Sequence, residues 1–178
     1  MPPRAARAPQ GKNTGHTRSK LLKSLRDVYE DSCKERQVHA NSSVLSLLPD
    51  RQGVALATDT LDVSRNYLGD KGIVPLLHVV ERSPALRRLV AAENGLRNNA
   101  VKSICAVAAK HPNLREIDLS GNYISEGAAA AILRLLDDNR RLVAVNIEDT
   151  KIDVETRVRI KDLLERNQLL SRPAESTV

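Results

Sequence analysis

The amino-acid sequence predicts an α/β solenoid, a short right-handed horseshoe with parallel strands on its concave face, helices outside and a helical N-terminal cap. Three observations lead there. The stretch L-R-E-I-D-L-S-G-N-Y-I places Leu114, Ile117, Leu119 and Ile124 around Asn122. Steps of 28 residues bring the same pattern back. It reappears at Leu86, Leu89, Ala91, Asn94 and Leu96, at Thr58, Leu61, Val63, Asn66 and Leu68, and at Leu142, Val145, Ile147, Thr150 and Ile152. No insertion separates the four copies, and a helix-spaced apolar stretch follows each strand stretch. Blocks this short cannot bury their apolar sides alone, so they must stack.

Within each copy the first half alternates, as a short strand requires. The Asn of each turn both donates and accepts, so it can satisfy backbone groups where the chain leaves the strand. Thr150, in its place in the last copy, is a weaker bracket. The second half is helical: Ile73, Leu76, Leu77 and Val80 fall at i, i+3, i+4 and i+7, and Val101, Ile104, Cys105 and Ala108 and then Ala129, Ile132, Leu133 and Leu136 repeat the spacing. Helix starts are expected at Asp70, Asn98 or Asn99, Ser125 and Asp153, all good N-caps, with Pro84 and Pro112 closing the first two helices. Gly72, where the other copies carry Ala100, Ala128 and Thr156, reads as a point of close packing.

Ahead of the repeats, Lys20 to Glu35 reads as a helix with Leu21, Leu22, Leu25, Val28 and Tyr29 on one face, followed by a short turn, Val44 to Leu48, led by Asn41 and stopped by Pro49. These elements should cover the open end of the first repeat. The last helix, 154–167, is more polar: Arg157, Arg159 and Lys161 stand where the first copy has Ile73, Pro75 and Leu77, as suits a terminal repeat facing water. The expected organisation is a basic arm over 1–19, a helical cap over 20–57, repeats over 58–172 and a loose tail over 173–178.

The pattern L-x-x-L-x-L-x-x-N-x-L, with a 28-residue unit and a full helix, resembles the ribonuclease-inhibitor-like class of leucine-rich repeats, across residues 58–172. The segment Y-E-D-S-C-K-E-R-Q-V-H-A-N-S-S-V-L-S-L-L looks like the cap of cytoskeletal and ciliary leucine-rich-repeat proteins, and I-E-D-T-K-I-D-V-E-T-R-V-R-I-K-D-L-L-E-R-N resembles the closing repeat of tropomodulin-like and axonemal proteins. The resemblance implies a leucine-rich-repeat scaffold in a cytoskeletal assembly, a cilium or flagellum axoneme in particular.

Charge placement says more than the net +6. Residues 1–26 hold seven Lys or Arg, among them Arg4, Arg7, Lys12, Arg18 and Lys20, and no acid. Rich in Pro, Gly, Ala and Arg, the first nineteen residues cannot form an apolar face. Three readings stay open for this arm: a solubilising tail, a segment that docks on an acidic surface, or a presequence. No apolar run is long enough for a membrane span. Two cysteines argue for a reducing compartment, with Cys105 in a core position and no disulfide to Cys33.

Chemistry is sparse. His16, His39, His78 and His111 are scattered, and no H-x-x-x-H, C-x-x-C or phosphate loop occurs. The expectation is no catalytic site, no metal and no cofactor. What remains is surface. On the strands, Thr60, Asp62 and Ser64, Arg88, Val90 and Ala92, Glu116, Asp118 and Ser120, and Ala144, Asn146 and Glu148 alternate with the buried positions. With Asp59, Arg65, Glu93 and Asp149 added, acids outnumber bases seven to two. Such a face repels nucleic acid and suits a basic or helical protein segment. The chain has no Phe or Trp to stack bases on. Candidate protein-binding residues there are Asp62, Arg88, Glu93, Glu116, Asp118, Asn146 and Glu148. Tyr67 and Tyr123 share one slot after the turn Asn, roughly 10 Å apart along the stack, and form a second candidate edge.

These features point to a non-enzymatic protein-interaction module, a structural or adaptor subunit within a cytoplasmic, cytoskeletal multi-subunit assembly. Two alternatives come from other classes: an inhibitor or regulator of a soluble enzyme or GTPase through the concave face, and a ribonucleoprotein component, such as one of an organellar ribosome, using the basic arm on phosphate.

Overall fold

Leu61, Leu89, Ile117 and Val145 stand side by side as partners in a four-stranded parallel sheet, one residue from each copy. Only this stacking removes all four from water, and each is buried. The computed structural model describes residues 23–171. In chain order the elements are α1 (Leu25–Glu35), α2 (Ser42–Leu47), β1 (Thr60–Asp62), α3 (Gly69–Glu81), β2 (Arg88–Val90), α4 (Asn98–Lys110), β3 (Glu116–Asp118), α5 (Glu126–Asp138), β4 (Ala144–Asn146) and α6 (Val154–Ser171). Strand order follows chain order, and α1, α3, α4, α5 and α6 pack in sequence, each on the next. One apolar core runs the length of the stack between sheet and helices.

α1 begins at Leu25, not Lys20, because Ser24 and Asp27 form a reciprocal capping box there. Leu21 and Leu22 lie outside the described residues. Leu25, Val28, Tyr29 and Cys33 turn into the core. Asn41 Nδ2 donates to the carbonyl of Asn66 at 3.0 Å, as the backbone N–H of Gly69 donates to Asn94 one repeat later at 2.9 Å. The segment before β1 thus makes the bond that a preceding repeat would make.

The helix starts correct the sequence reading. α3, α4 and α5 have no side-chain cap bond. Ser125 stands at the N-cap of α5, but its Oγ accepts from Asn98 Nδ2 at 2.9 Å; Asp70 and Asn98 reach forward instead, as does Glu126 in their column. Asp70 Oδ1 accepts from Arg97 N at 2.7 Å, Asn98 Oδ1 from Ser125 N at 2.9 Å, and Glu126 Oε1 from Asp153 N at 2.8 Å. Only Asp153 also caps its own helix, accepting from Thr156 N at 2.7 Å.

Gly72 is not a point of close packing: a Cβ there would meet only Leu68 of its own repeat at 3.4 Å. Among the helix glycines the crowded one is Gly127, whose Cβ would stand 2.5 Å from Asn98 Nδ2. α6 runs past Asn167 to Ser171. Cys33 and Cys105 are both free and buried.

Candidate interaction surface

Carboxylates on the open face of the sheet are fixed by their own turns. Asp62 Oδ1 accepts from Ser64 N at 2.9 Å and Ser64 Oγ at 2.6 Å. Two copies on, Asp118 Oδ1 accepts from Ser120 N and Oγ at the same distances. In the fourth copy, Asn146 Oδ1 accepts from Glu148 N at 3.0 Å, and Asn146 Nδ2 donates to Asp118 Oδ2 at 3.2 Å. Partial burial opposes ionisation of Asp118, but the bonds from Ser120 and Asn146, helped by Arg88, outweigh it and lower its carboxyl below the usual range.

The two bases of the strip each hold one of its acids. Arg88 pairs with Glu116 across adjacent strands at 3.6 Å. Arg65 grips one oxygen of Glu93 with Nε at 3.0 Å and Nη2 at 2.8 Å. Asp59, Asp62, Asp118, Glu148 and Asp149 form no ion pair among the described residues, so unneutralised negative charge runs from the first copy to the fourth. Arg65, Glu93, Gly121 and Asp149 occupy one column, all with left-handed backbone at φ 56°, 51°, 64° and 53°. Glu93 lies over Gly121, where a Cβ would approach its Cγ to 2.7 Å.

Side chains take backbone groups at the ends of both edge strands. On β1, Thr58 Oγ1 donates to Thr60 O at 2.7 Å, Asp62 takes the N–H of Ser64, and Asn66 Nδ2 takes the carbonyl of Ser64 at 3.0 Å. On β4, Gln168 Nε2 donates to Val143 O at 2.8 Å and Asn167 Nδ2 to Leu142 O at 2.8 Å. Arg157 donates to Ile147 O at 3.0 Å, Thr150 O at 2.8 Å and Ile152 O at 2.9 Å. Thr150 thus brackets only its own turn, through Ile147 O at 2.7 Å, and the arginine supplies the donors that a following Asn would have given. Edges blunted in this way resist addition of a further strand.

A second polar column went unnoticed in the sequence. Ser83, His111, Asn139 and Asn167 recur every 28 residues, the first three just past the ends of α3, α4 and α5 and the last inside α6, and all four are buried. His111 Nδ1 accepts from Leu114 N at 2.9 Å, leaving the proton on Nε2, which donates to Ser83 O at 3.1 Å. Asn139 Nδ2 reaches Ala108 O at 3.3 Å, and Asn167 Nδ2 reaches Asn139 O at 3.0 Å. Aligning polar positions at the repeat period, and not only apolar ones, would have found it.

Tyr67 and Tyr123 are 91% and 64% exposed. They share a slot in the alignment but not a backbone conformation: Tyr67 is left-handed at φ 52°, and Tyr123 is not. Arg4, Arg7, Lys12, Arg18 and Lys20 lie outside the described residues. Among the described residues, no group of three or more His, Cys, Asp or Glu is placed to hold a metal ion, and no helix is long and apolar enough to cross a membrane.

No family model matches the chain, and no curated protein matches it in sequence. Among solved structures it is similar to actin-binding site 2 of leiomodin-1, at 14% identity over 65% of this chain and 84% of that one, with a TM-score of 0.49. It is also similar to the tropomodulin C-terminal domain from Caenorhabditis elegans, at 12% identity over 82% and 94%, with a TM-score of 0.49.

Proposed function

We propose that the chain is a non-enzymatic protein-interaction module that binds a protein partner on the open face of its sheet, as a structural or adaptor subunit of a cytoskeletal assembly. The observation that carries this reading is the contrast between face and margins. Asp62, Asp118 and Asn146 are held rigid on the face by repeated short hydrogen bonds, whereas the edges of β1 and β4 are stopped by side chains. A partner that lies across prearranged groups loses less conformational freedom than one that must order them. Asp62, Asp118, Glu148 and Asp149, none in an ion pair among the described residues, draw a basic segment along the face. The cytoskeletal assignment, with a cilium or flagellum axoneme as its most specific form, rests on the resemblance of the segments 29–48 and 147–167.

The test is to tag the full chain in its own cell. Concentration on a filament or flagellum should survive deletion of residues 1–19 and disappear in the double variant Asp118→Lys, Glu148→Lys. Uniform spread of the wild-type protein through the cytoplasm would overturn the cytoskeletal reading. Loss of an RNA association on deletion of the arm would favour the ribonucleoprotein class instead.

A further inference from the structure

We propose that the chain's own basic arm, residues 1–22, lies across the open face of the sheet, where a partner must displace it. Asp59, Asp62, Asp118, Glu148 and Asp149 form no ion pair among the described residues, and the two bases beside them, Arg65 and Arg88, are already matched by Glu93 and Glu116. A face left with unmatched carboxylates in every copy but the second attracts a cationic occupant. The same chain supplies one. Residues 1–26 hold seven of its 28 Lys and Arg and no acid. Tethering raises the local concentration of such a segment to about millimolar, enough to populate a contact that would be weak between separate molecules. The consequence rests on the sheet-face reading of partner binding: arm and basic partner contest the same carboxylates.

The arm is long enough to reach. Lys23, the first of the described residues, lines a groove between α1 and α3 together with Arg82. From Arg82 the chain itself takes six residue steps to Arg88 on β2, about 22 Å at most. An extended arm of 22 residues spans about 75 Å. About half of it covers the approach. The remainder, with Arg4, Arg7 and Lys12, then lies across four strands whose axes cover about 15 Å. The groove at the arm's exit is the rival seat. There Asp31 is already held by Lys23 and Lys34, and Arg82 stands among the lining residues with Glu35 and Glu81. That lining mixes both signs, whereas the unmatched charge of the face is all negative, so charge places the arm on the face.

The test uses the full chain. Cys33 and Cys105 are buried, so a nitroxide attached through Ala6→Cys labels the arm alone, and paramagnetic broadening of the amide signals reports which surface the arm visits. Broadening should be strongest at Asp62, Asp118 and Asn146 and weakest at Lys102 and Arg134 on the outer helices. It should vanish in about 0.5 M NaCl, where the Debye length falls to about 4 Å. It should vanish too in the variant Asp62→Asn, Asp118→Asn, Glu148→Gln. That variant keeps its turns, because Asn146 Oδ1 already accepts from Glu148 N as an aspartate would, and circular dichroism checks that it is folded. Broadening that is absent from the face, centred on the groove between α1 and α3, retained in salt or in the triple variant, or seen only between separate chains would overturn the proposal. No partner is present in this experiment. A failed docking therefore leaves the sheet-face reading standing, and a face that binds no partner in the cell leaves the docking standing.

Discussion

The side-chain amide of Asn122 reads the backbone of Asn94, one full repeat away. Its Oδ1 accepts from Asn94 N and Leu96 N, both at 3.0 Å, while Nδ2 donates to Ala91 O at 3.0 Å and Leu119 O at 2.9 Å. Asn94 does the same for Asn66 and Leu68. Turns that would each carry unpaired groups are thereby joined into one ladder.

Truncating a rung should therefore cost more than one hydrogen bond. Asn122→Ala leaves several buried groups unsatisfied and should lower stability by about 3 kcal/mol or more. Asn66→Ala should cost less, about 1–2 kcal/mol, because Asn66 Nδ2 serves only its own turn. Urea denaturation of the two variants checks the order.

His111 should be replaceable by the residue its column already uses. His111→Asn keeps an acceptor for the turn, as Asn139 Oδ1 does for Arg141 N at 2.9 Å, and should cost under about 1 kcal/mol. His111→Ala removes the bonds to Ser83 O, Asn113 N and Leu114 N from a buried site and should cost about 2–3 kcal/mol. Equal melting of the two variants would contradict the assigned role.

Adjacent residues on β3 should respond in opposite ways. Ile117→Asp places a carboxylate between Leu89 and Val145 in a dry interior and should unfold the stack, at a cost of about 4 kcal/mol or more. Asp118→Lys should stay folded and change partner binding only. Far-UV circular dichroism separates the outcomes.

The two exposed tyrosines should differ when replaced by glycine. Tyr67→Gly relieves left-handed strain and should raise stability by about 0.5–1 kcal/mol. Tyr123→Gly, at ordinary backbone, should lower it by a similar amount through the freer unfolded chain. Thermal melts monitored by circular dichroism give the signs.

At high pH the fold should fail at α1 and α4, where Tyr29 and Cys105 are buried. Burial pushes the Tyr29 phenol up to about 12, although the bond from Asn41 N at 3.2 Å opposes this. The folded state thus holds the proton more tightly than the unfolded chain, whose phenol titrates near 10. The stabilisation is complete below about pH 10 and is lost as pH rises towards 12. A denaturation series from pH 8 to 12 tests it: Tyr29→Phe should remove the tyrosine's share, and the rest, from the Cys105 thiol that burial also pushes up to about 12, should go when Cys105→Ala is added. In acid the sign reverses for Asp118: its contribution is present above the ordinary carboxyl pKa and fades as pH falls through the lowered value.

Legibility followed the kind of force involved. Leu61, Leu89, Ile117 and Val145 could be placed as neighbouring rungs because burial is non-directional and needs only the right residue type at the right period. Asp70 and Asn98 were misassigned because a cap and a cross-repeat acceptor look alike in one dimension; the difference is which N–H comes within about 3 Å. The pairing of Arg65 with Glu93 is hidden in one dimension for a related reason, since the two sit 28 residues apart in the chain and in contact in the fold.

The sequence by itself determined the unit, its length and the residues that face the core, because apolar side chains repeating every 28 positions leave water only by stacking. Tertiary structure alone decided which polar atoms bind across repeats, where the left-handed residues fall and how the array stops at α6, with Arg157 and Gln168 on the carbonyls of Ile147 and Val143. Those outcomes depend on directional bonds whose partners are chosen by position in space.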